Sequence, residues 1–300
     1  MIHQSLLHPN TPVLKPAAEC RLYIMMESDS QLAGNSAVFE AFETLVEEGF
    51  QVEMVVAEEV LTRPDWLDVT HDLYVLKSNT ELSLSLAAIL HSQGARLINP
   101  YPSCALAQDK IVTSRLLRGA GIPTPSSWVT GRLDLMGSLA ERMPLVIKPY
   151  HGHRGRGVRL VRNAGDLAAV APPESPVLIQ QFVEGGGQDL KVYVIGAEVF
   201  GVLKESPHLD ALPLAERHSS KGRACEVSTE VRELALRCGR VLGLGLYGLD
   251  ILETAQGPMV VDVNAFPSYR GVPDAGPLIA EFIASYARGE MELEPATLVS

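Results

Sequence analysis

The sequence predicts an α/β (α+β) protein, with an open Rossmann-like α/β domain followed by two α+β regions. Three observations lead there. The first hundred residues alternate short apolar strands with segments of helical period. Residues 144–203 and 247–263 read instead as short strands in hairpin succession. A chain of 300 residues also exceeds what one compact core usually holds.

Residues 1–17, with Pro9, Pro12 and Pro16, read as an extended arm. Arg21 to Met26 is an apolar strand, and Val38, Phe39, Phe42, Leu45 and Val46 then fall at helical spacing. Gly49 stands where a helix end takes a left-handed residue, and Gln51 to Val56 is the next strand. Strand, helix, strand implies a right-handed βαβ unit. Asp72 to Leu76, a helix over 82–93 and Ala95 to Asn99 repeat the pattern, so 18–100 forms the first domain. A helix over about 105–120 opens a central lobe, 101–183, with strands at 144–149, 157–161 and 177–183. The third region, 184–290, has strands at 191–195, 199–203, 247–252 and 258–263 and helices at about 229–242 and 277–287. The tail, 291–300, is expected to be loose.

Composition narrows the function classes. Lys plus Arg is 25 and Asp plus Glu is 36, a formal charge of −11, which argues against a broad nucleic-acid footprint. No apolar run approaches the ~20 residues of a membrane span, and Met1 to Ala18 lacks the basic and apolar regions of a signal peptide. The four cysteines form no Cys-x-x-Cys pair and read as reduced thiols, so a cytoplasmic location is expected.

Four clusters carry chemistry. Lys148-Pro-Tyr-His-Gly-His-Arg-Gly-Arg-Gly157 ends a strand with a lysine and turns back through glycines, whose N–H groups can cradle an anion. It reads equally as a hairpin with a solvated basic tip. Asp262 and Asn264, two apart on one strand, share a face, and Asp250 can lie across from Asp262 through a hairpin at 253–257. Two carboxylates and an amide oxygen make a hard-oxygen site that suits Mg²⁺. Gln180-Gln-Phe-Val-Glu-Gly-Gly-Gly187 reads as an interdomain hinge or, equally, as a surface loop. Asp189, Lys191, Lys204, Arg217, His218, Lys221 and Arg223 could grip an anionic substrate or be solvated surface.

The order of these clusters resembles the ATP-grasp superfamily: Asp109-Lys110 opening a helix, Lys148 with the glycine loop, Gln-Gln-Phe-Val-Glu184, Asp250, then Asp262-Val-Asn264. Ile147-Lys148, Gly155-Arg-Gly-Val158, Gly248-Leu-Asp-Ile-Leu252 and Asp262-Val-Asn-Ala-Phe-Pro267 are most similar to RimK-type carboxylate–amine ligases. The resemblance implies an ATP-grasp fold whose two lobes clamp ATP. It implies that Lys110 and Lys148 contact the phosphates, that His151 to Gly157, with Gly155 and Arg156, folds over them, and that Gln181, Phe182 and Val183 meet adenine. Glu184 would hold the ribose, Asp189 would assist, and Asp250, Asp262 and Asn264 would bind one or two Mg²⁺ ions, with Mn²⁺ able to substitute. Arg154, Lys204 and Arg217 would serve catalysis on the substrate side.

The implied reaction converts a carboxylate to an acyl phosphate with MgATP and then forms an amide or peptide bond with an amine. Partners would be small-molecule carboxylates and amines or a peptide, without nucleic acid or membrane, and the resemblance allows a homo-oligomer. Two alternatives stand beside it. Pro267-Ser268-Tyr269 replaces the usual Pro-Gly, Asp262 stands for Glu, and the runs 262–273 and 190–196 resemble inositol polyphosphate kinases. That resemblance implies phosphorylation of a polyol or inositol phosphate hydroxyl. The other alternative is a non-catalytic nucleotide-binding protein.

Overall fold

A computed structural model describes residues 15–27, 36–152, 157–173, 175–185, 188–205 and 222–296. The N-terminal unit contains β1 (Arg21–Met26), α1 (Ser36–Glu47), β2 (Gln51–Val56), β3 (Leu73–Leu76), α2 (Glu81–Ser92) and β4 (Leu97–Ile98). Its sheet is parallel, in the order β2-β1-β3-β4. The central strands carry near-continuous apolar runs because both their faces are covered: all four residues of β3 are buried. Val38, Ala41, Phe42 and Leu45 of α1 form the buried stripe that seats it on one face. The same core takes in residues from the far end of the chain, including Ile279, Ala280 and Ile283 of the last helix, α8 (Ala275–Arg288).

The junction to the rest of the chain runs through Asn99, which is fully buried. Its Nδ2 donates to the Leu246 carbonyl at 2.8 Å, and its Oδ1 accepts from the Gly245 and Leu246 N–H groups at 2.8 and 3.0 Å. One amide thus satisfies backbone groups 146 and 147 residues away in sequence.

The helix expected over about 105–120 is two helices, α3 (Tyr101–Gln108) and α4 (Lys110–Gly119). Asp109 is the reason. Its backbone is extended and its carboxylate accepts from the Ile111 and Val112 N–H groups at 2.9 and 3.1 Å, starting a new helix in place of continuing the old one. The break frees the Lys110 N–H to bond the Tyr150 carbonyl at 3.0 Å.

The central lobe has β5 (Ser127–Thr130), α5 (Gly137–Ala140), β6 (Leu145–Pro149), β7 (Arg159–Val161), α6 (Ala164–Ala168) and β8 (Val177–Gln181). Its antiparallel sheet runs β5-β8-β6-β7 and packs Leu145, Ile147, Val161 and Ile179 against Met136 and Ala140. The third sheet joins β9 (Gln188–Ile195), β10 (Glu198–Glu205), β11 (Arg223–Cys225), β12 (Leu246–Thr254) and β13 (Gly257–Ala265) in the order β11-β10-β9-β12-β13. One face buries Val192, Leu249, Ile251 and Val263 against Val231, Leu234, Ala235 and Cys238 of α7 (Thr229–Leu242). The opposite face carries the charged positions.

The segment after α8, expected to be loose, is packed as far as the described residues extend. Met291 and Leu293 lie against the core, Glu292 pairs with Arg96 at 2.8 Å, and the Ala296 N–H bonds the Ser103 hydroxyl at 3.1 Å. Leu293 occupies space beside Gly245 that a side chain there would need. No helix among the described residues is long and apolar enough to cross a membrane.

Replacing Asn99 by Leu leaves the Gly245 and Leu246 N–H groups buried without their acceptor. An unpaired buried donor costs about 1–3 kcal/mol, so Asn99→Leu is expected to lower unfolding free energy by about 3 kcal/mol. Urea denaturation measures it, and a loss below about 1 kcal/mol would show that the junction is held by something else.

Candidate active site

The candidate site begins with an irregularity in the β12–β13 hairpin. From the turn outward the ladder pairs Thr254 with Gly257 and Ile251 with Val260. The register then shifts, leaving Val261 without a partner and setting Asp250 opposite Asp262 and Gly248 opposite Asn264. This is a β-bulge. Extended without it, the same ladder would set Asp250 opposite Val261 and turn Asp262 to the other face. On the neighbouring strand Lys191 lies opposite Asp250, and Tyr193 opposite Gly248. Asp189 and Lys204 face each other one step further out. Strand alternation therefore gathers Asn264, Asp262, Asp250, Lys191, Asp189 and Lys204 on one face.

Both carboxylates are paired with lysines. Lys110 Nζ lies 2.7 Å from Asp262 Oδ1, and Lys191 Nζ lies 2.9 Å from Asp250 Oδ1. Lys148 points across from β6 and donates to the Val261 carbonyl, the bulged residue, at 2.9 Å. Burial lowers the Lys148 pKa below the ordinary lysine range, with Lys110 adding to that and Asp262 and Asp250 opposing it. Burial also works against the Lys191 ammonium, but Asp250 beside it outweighs that and raises its pKa. Three ammonium groups held around two carboxylates make a face suited to polyanions.

The cleft side of the central lobe completes the surroundings. Tyr150 and His151 stack with ring centroids 4.0 Å apart at the start of the glycine loop. Gly157 at its end has φ +74, and a side chain there would meet Pro149. At the hinge the Gln181 N–H bonds the Ser126 carbonyl and the Phe182 N–H bonds the Pro144 carbonyl, each at 2.9 Å. Those two donors serve the protein itself. Gln181 and Glu184 are exposed, while Phe182 and Val183 are half-buried. Of the residues singled out in the sequence, Arg154, Gly155, Arg156, Arg217, His218 and Lys221, and the end of the run 180–187, lie outside the described residues.

Of two further residues at this face, Arg270 was not named from the sequence, and Lys191 only as one of seven that could grip an anionic substrate or be solvated surface. Lys191 is legible only once β9 is aligned with β12, although the alternation Lys191-Val-Tyr-Val194 already placed it opposite the apolar face. Arg270 belongs to the loop after β13, where no periodic signal exists. Among the described residues no group of three or more His, Cys, Asp or Glu gathers for a metal. The two carboxylates and one amide of Asp250, Asp262 and Asn264 are nevertheless hard oxygen donors, and they fit a magnesium ion that keeps water and phosphate as its other ligands.

A small parallel domain followed by two antiparallel lobes, with a lysine-rich, carboxylate-bearing cleft between them, defines the ATP-grasp class. Solved ATP-grasp structures superpose on it. A RimK-domain ATP-grasp protein from Sphaerobacter thermophilus matches with TM-score 0.67 and 24% identity over 88% of this chain and 99% of its own. The D-alanine–D-alanine ligase of Bacillus anthracis matches with TM-score 0.68 and 18% identity over 90% and 99%. The family profile described as the RimK-like ATP-grasp domain matches residues 107–286. The chain belongs to the RimK-like ATP-grasp family. Among its relatives is a protein of Hahella chejuensis named probable alpha-L-glutamate ligase 1, 29% identical over 210 residues, which are 67% of this chain and 69% of that one. Family and relatives place the chain among ATP-grasp carboxylate–amine ligases, which form carbon–nitrogen bonds, and favour that reading over the kinase alternative.

Burial burdens the Lys148 ammonium, so Lys148→Met is expected to leave the melting temperature unchanged or higher. The same substitution removes a charged hydrogen bond worth about 1.5–3 kcal/mol to a bound phosphate, roughly ten- to a hundredfold in affinity. Calorimetry with a non-hydrolysable ATP analogue reads the second effect. Wild-type affinity in the variant would remove Lys148 from the nucleotide site.

Proposed function

We propose that MgATP lies between the central sheet and the charged face of the third sheet, and that this geometry activates a carboxylate for attack by an amine. The observation that carries the reading is the convergence of Lys110, Lys148 and Lys191 on the bulged strand pair that bears Asp250 and Asp262. In this reading the division into 18–100, 101–183 and 184–290 is functional. The central and third regions hold the nucleotide, and the first helps enclose the substrate.

Lys110 and Lys148 bind phosphate oxygens, and the loop from His151 to Gly157, with Arg154, Gly155 and Arg156, covers them. The Gln181 side chain and the backbone from Phe182 to Glu184 meet the adenosine. The engaged N–H groups of Gln181 and Phe182 leave recognition to the carbonyls, to the Gln181 amide and to the backbone beyond. Asp250, Asp262 and Asn264 would hold one or two magnesium ions, which would supply charge neutralisation for phosphoryl transfer. Lys191 holds Asp250 in place. Asp189 borders the site, and Lys204 and Arg217 face the substrate. A carboxylate oxygen takes the phosphoryl group as ADP leaves, and an amine nitrogen then attacks the acyl carbon as phosphate leaves. The protein supplies position and charge for both steps.

The relatives' name makes L-glutamate the first carboxylate or amine to try, with a second amino acid or a peptide as partner. A reaction that consumes ATP is placed in the cytoplasm, and a homo-oligomer rests on the resemblance to RimK-type ligases alone.

With MgATP, a carboxylate and hydroxylamine in place of the amine, the protein is expected to give a hydroxamate and ADP. A phosphorylated hydroxyl without hydroxamate would overturn the ligase reading. Asp262→Asn and Asn264→Ala are each expected to cut turnover by about a hundredfold or more, with unchanged circular dichroism. Full turnover in both variants would remove the metal assignment.

A further inference from the structure

Beyond the Lys191–Asp250 pair, the charged face continues into Lys204, which the reading above sets facing the substrate without naming what it binds, and Arg270, which that reading does not use. Lys204 is on β10, opposite Asp189 and two residues from Val202, and Val202 is opposite Lys191. Its side chain therefore follows Lys191 along the same face. Arg270 arrives from the other direction, on the loop after β13. That loop crosses this face. Tyr269 packs its ring 5.5 Å from Tyr193 and donates to the Val194 carbonyl at 3.0 Å, while Gly271 lies over Val202, 3.3 Å from the Val202 methyl to the position of a Cβ. Arg270 is thus placed between a residue docked on Tyr193 and one docked on Val202, beside Lys191 and Lys204.

Tyr269 has φ +52 and Phe266 φ +45, left-handed conformations that bulky residues adopt only when their surroundings impose them. Tyr269 is fully buried and Arg270 exposed, so the strained loop anchors one side chain and presents the next.

Among the described residues neither Lys204 nor Arg270 has an ion-pair or hydrogen-bond partner for its side chain, whereas Lys191 is held by Asp250. Burial holds the Lys204 pKa below the ordinary lysine range, reinforced by Lys191 and Arg270 and opposed by Asp250 and Asp189. A half-buried ammonium crowded by two other cations is relieved by an anion. An arginine fork next to it matches a carboxylate or phosphoryl group through two parallel bonds.

We infer that Arg270 and Lys204 form an anion subsite that binds a second oxyanion of the substrate, distinct from the carboxylate that is activated. This rests on the ligase reading and makes it more specific: the preferred substrate is a dianion whose two charged groups span from the magnesium carboxylates to the far end of β10. Arg270 is then a specificity-determining residue of the reaction.

Glutarate and valerate have the same five carbons and differ in one carboxylate, and 4-phosphonobutyrate replaces one carboxylate of the former by a phosphonate. Each is titrated calorimetrically into the full chain with Mg²⁺ and a non-hydrolysable ATP analogue. The dianions are expected to bind about tenfold or more tightly than valerate. Arg270→Gln and Lys204→Met are each expected to shrink that preference to about threefold or less, with affinity for the ATP analogue unchanged. A phosphonate preferred over glutarate identifies the second oxyanion as phosphoryl and still supports the subsite. Equal binding of glutarate and valerate by the wild type, no binding of either, or a preference that survives both substitutions would overturn it. The hydroxamate assay separates this from the parent reading. Hydroxamate formed without any dianion preference removes the subsite alone. A dianion preference without hydroxamate removes the ligase reading and leaves the subsite.

Discussion

The third sheet depends on one extra residue. Val261 has no partner in the β12–β13 ladder, and Asp262 and Asn264 take their facing from that shift. Between the turn and Val261, the hairpin is an ordinary one in which Val260 joins the core with Ile251. Beyond it, Asp262 and Asn264 face the cleft while Val263 returns to the core. The bulge also leaves a backbone carbonyl that Lys148 reaches from the opposing lobe. One irregularity therefore aligns two carboxylates, keeps the apolar face continuous against α7 and gives the central lobe a polar contact on the third sheet.

Much of the scaffold could be read in the sequence because it rests on local periodicity. The apolar runs at 21–26 and 72–76 announced a parallel sheet, and the stripe Val231, Leu234, Ala235, Cys238, Val241, Leu242 located α7. The alternation around Asp250 and Asp262 showed that these acids share no face with their apolar neighbours. What the sequence hid is non-local. A bulge has no period, so the pairing of Asp250 with Asp262 looked like a direct outcome of the hairpin when it requires Val261 to stand out. The binding of Asn99 to Gly245 and Leu246 spans half the chain. The packing of 290–296 depends on Arg96 and Ser103, which nothing near the tail discloses.

Local preference and global need conflict most openly at Asp109-Lys110. A cation at the first position of a helix opposes the helix dipole, and an aspartate that ends one helix to begin another gives up a continuous hydrogen-bond ladder. Both costs fall where the chain must turn a lysine toward Asp262. The left-handed Phe266 and Tyr269 are departures of the same kind, just beyond Asn264. Concentration of locally unfavourable choices around one cleft, in a chain otherwise consistent with its own periodicities, is what selection for a site rather than for a core produces.

The two lysine–aspartate pairs set the terms on which a divalent ion can arrive. In the folded chain Asp250 and Asp262 already have their charge balanced from within. In the proposed reading, a free ion would have to displace two ammonium groups and leave them beside a dication. A nucleotide that carries its own ion brings phosphate oxygens to receive those same lysines. The protein would then distinguish chelated magnesium from dissolved magnesium by a simple exchange of counter-charges. Its demand for metal would rise and fall with the nucleotide rather than with the salt composition of its surroundings.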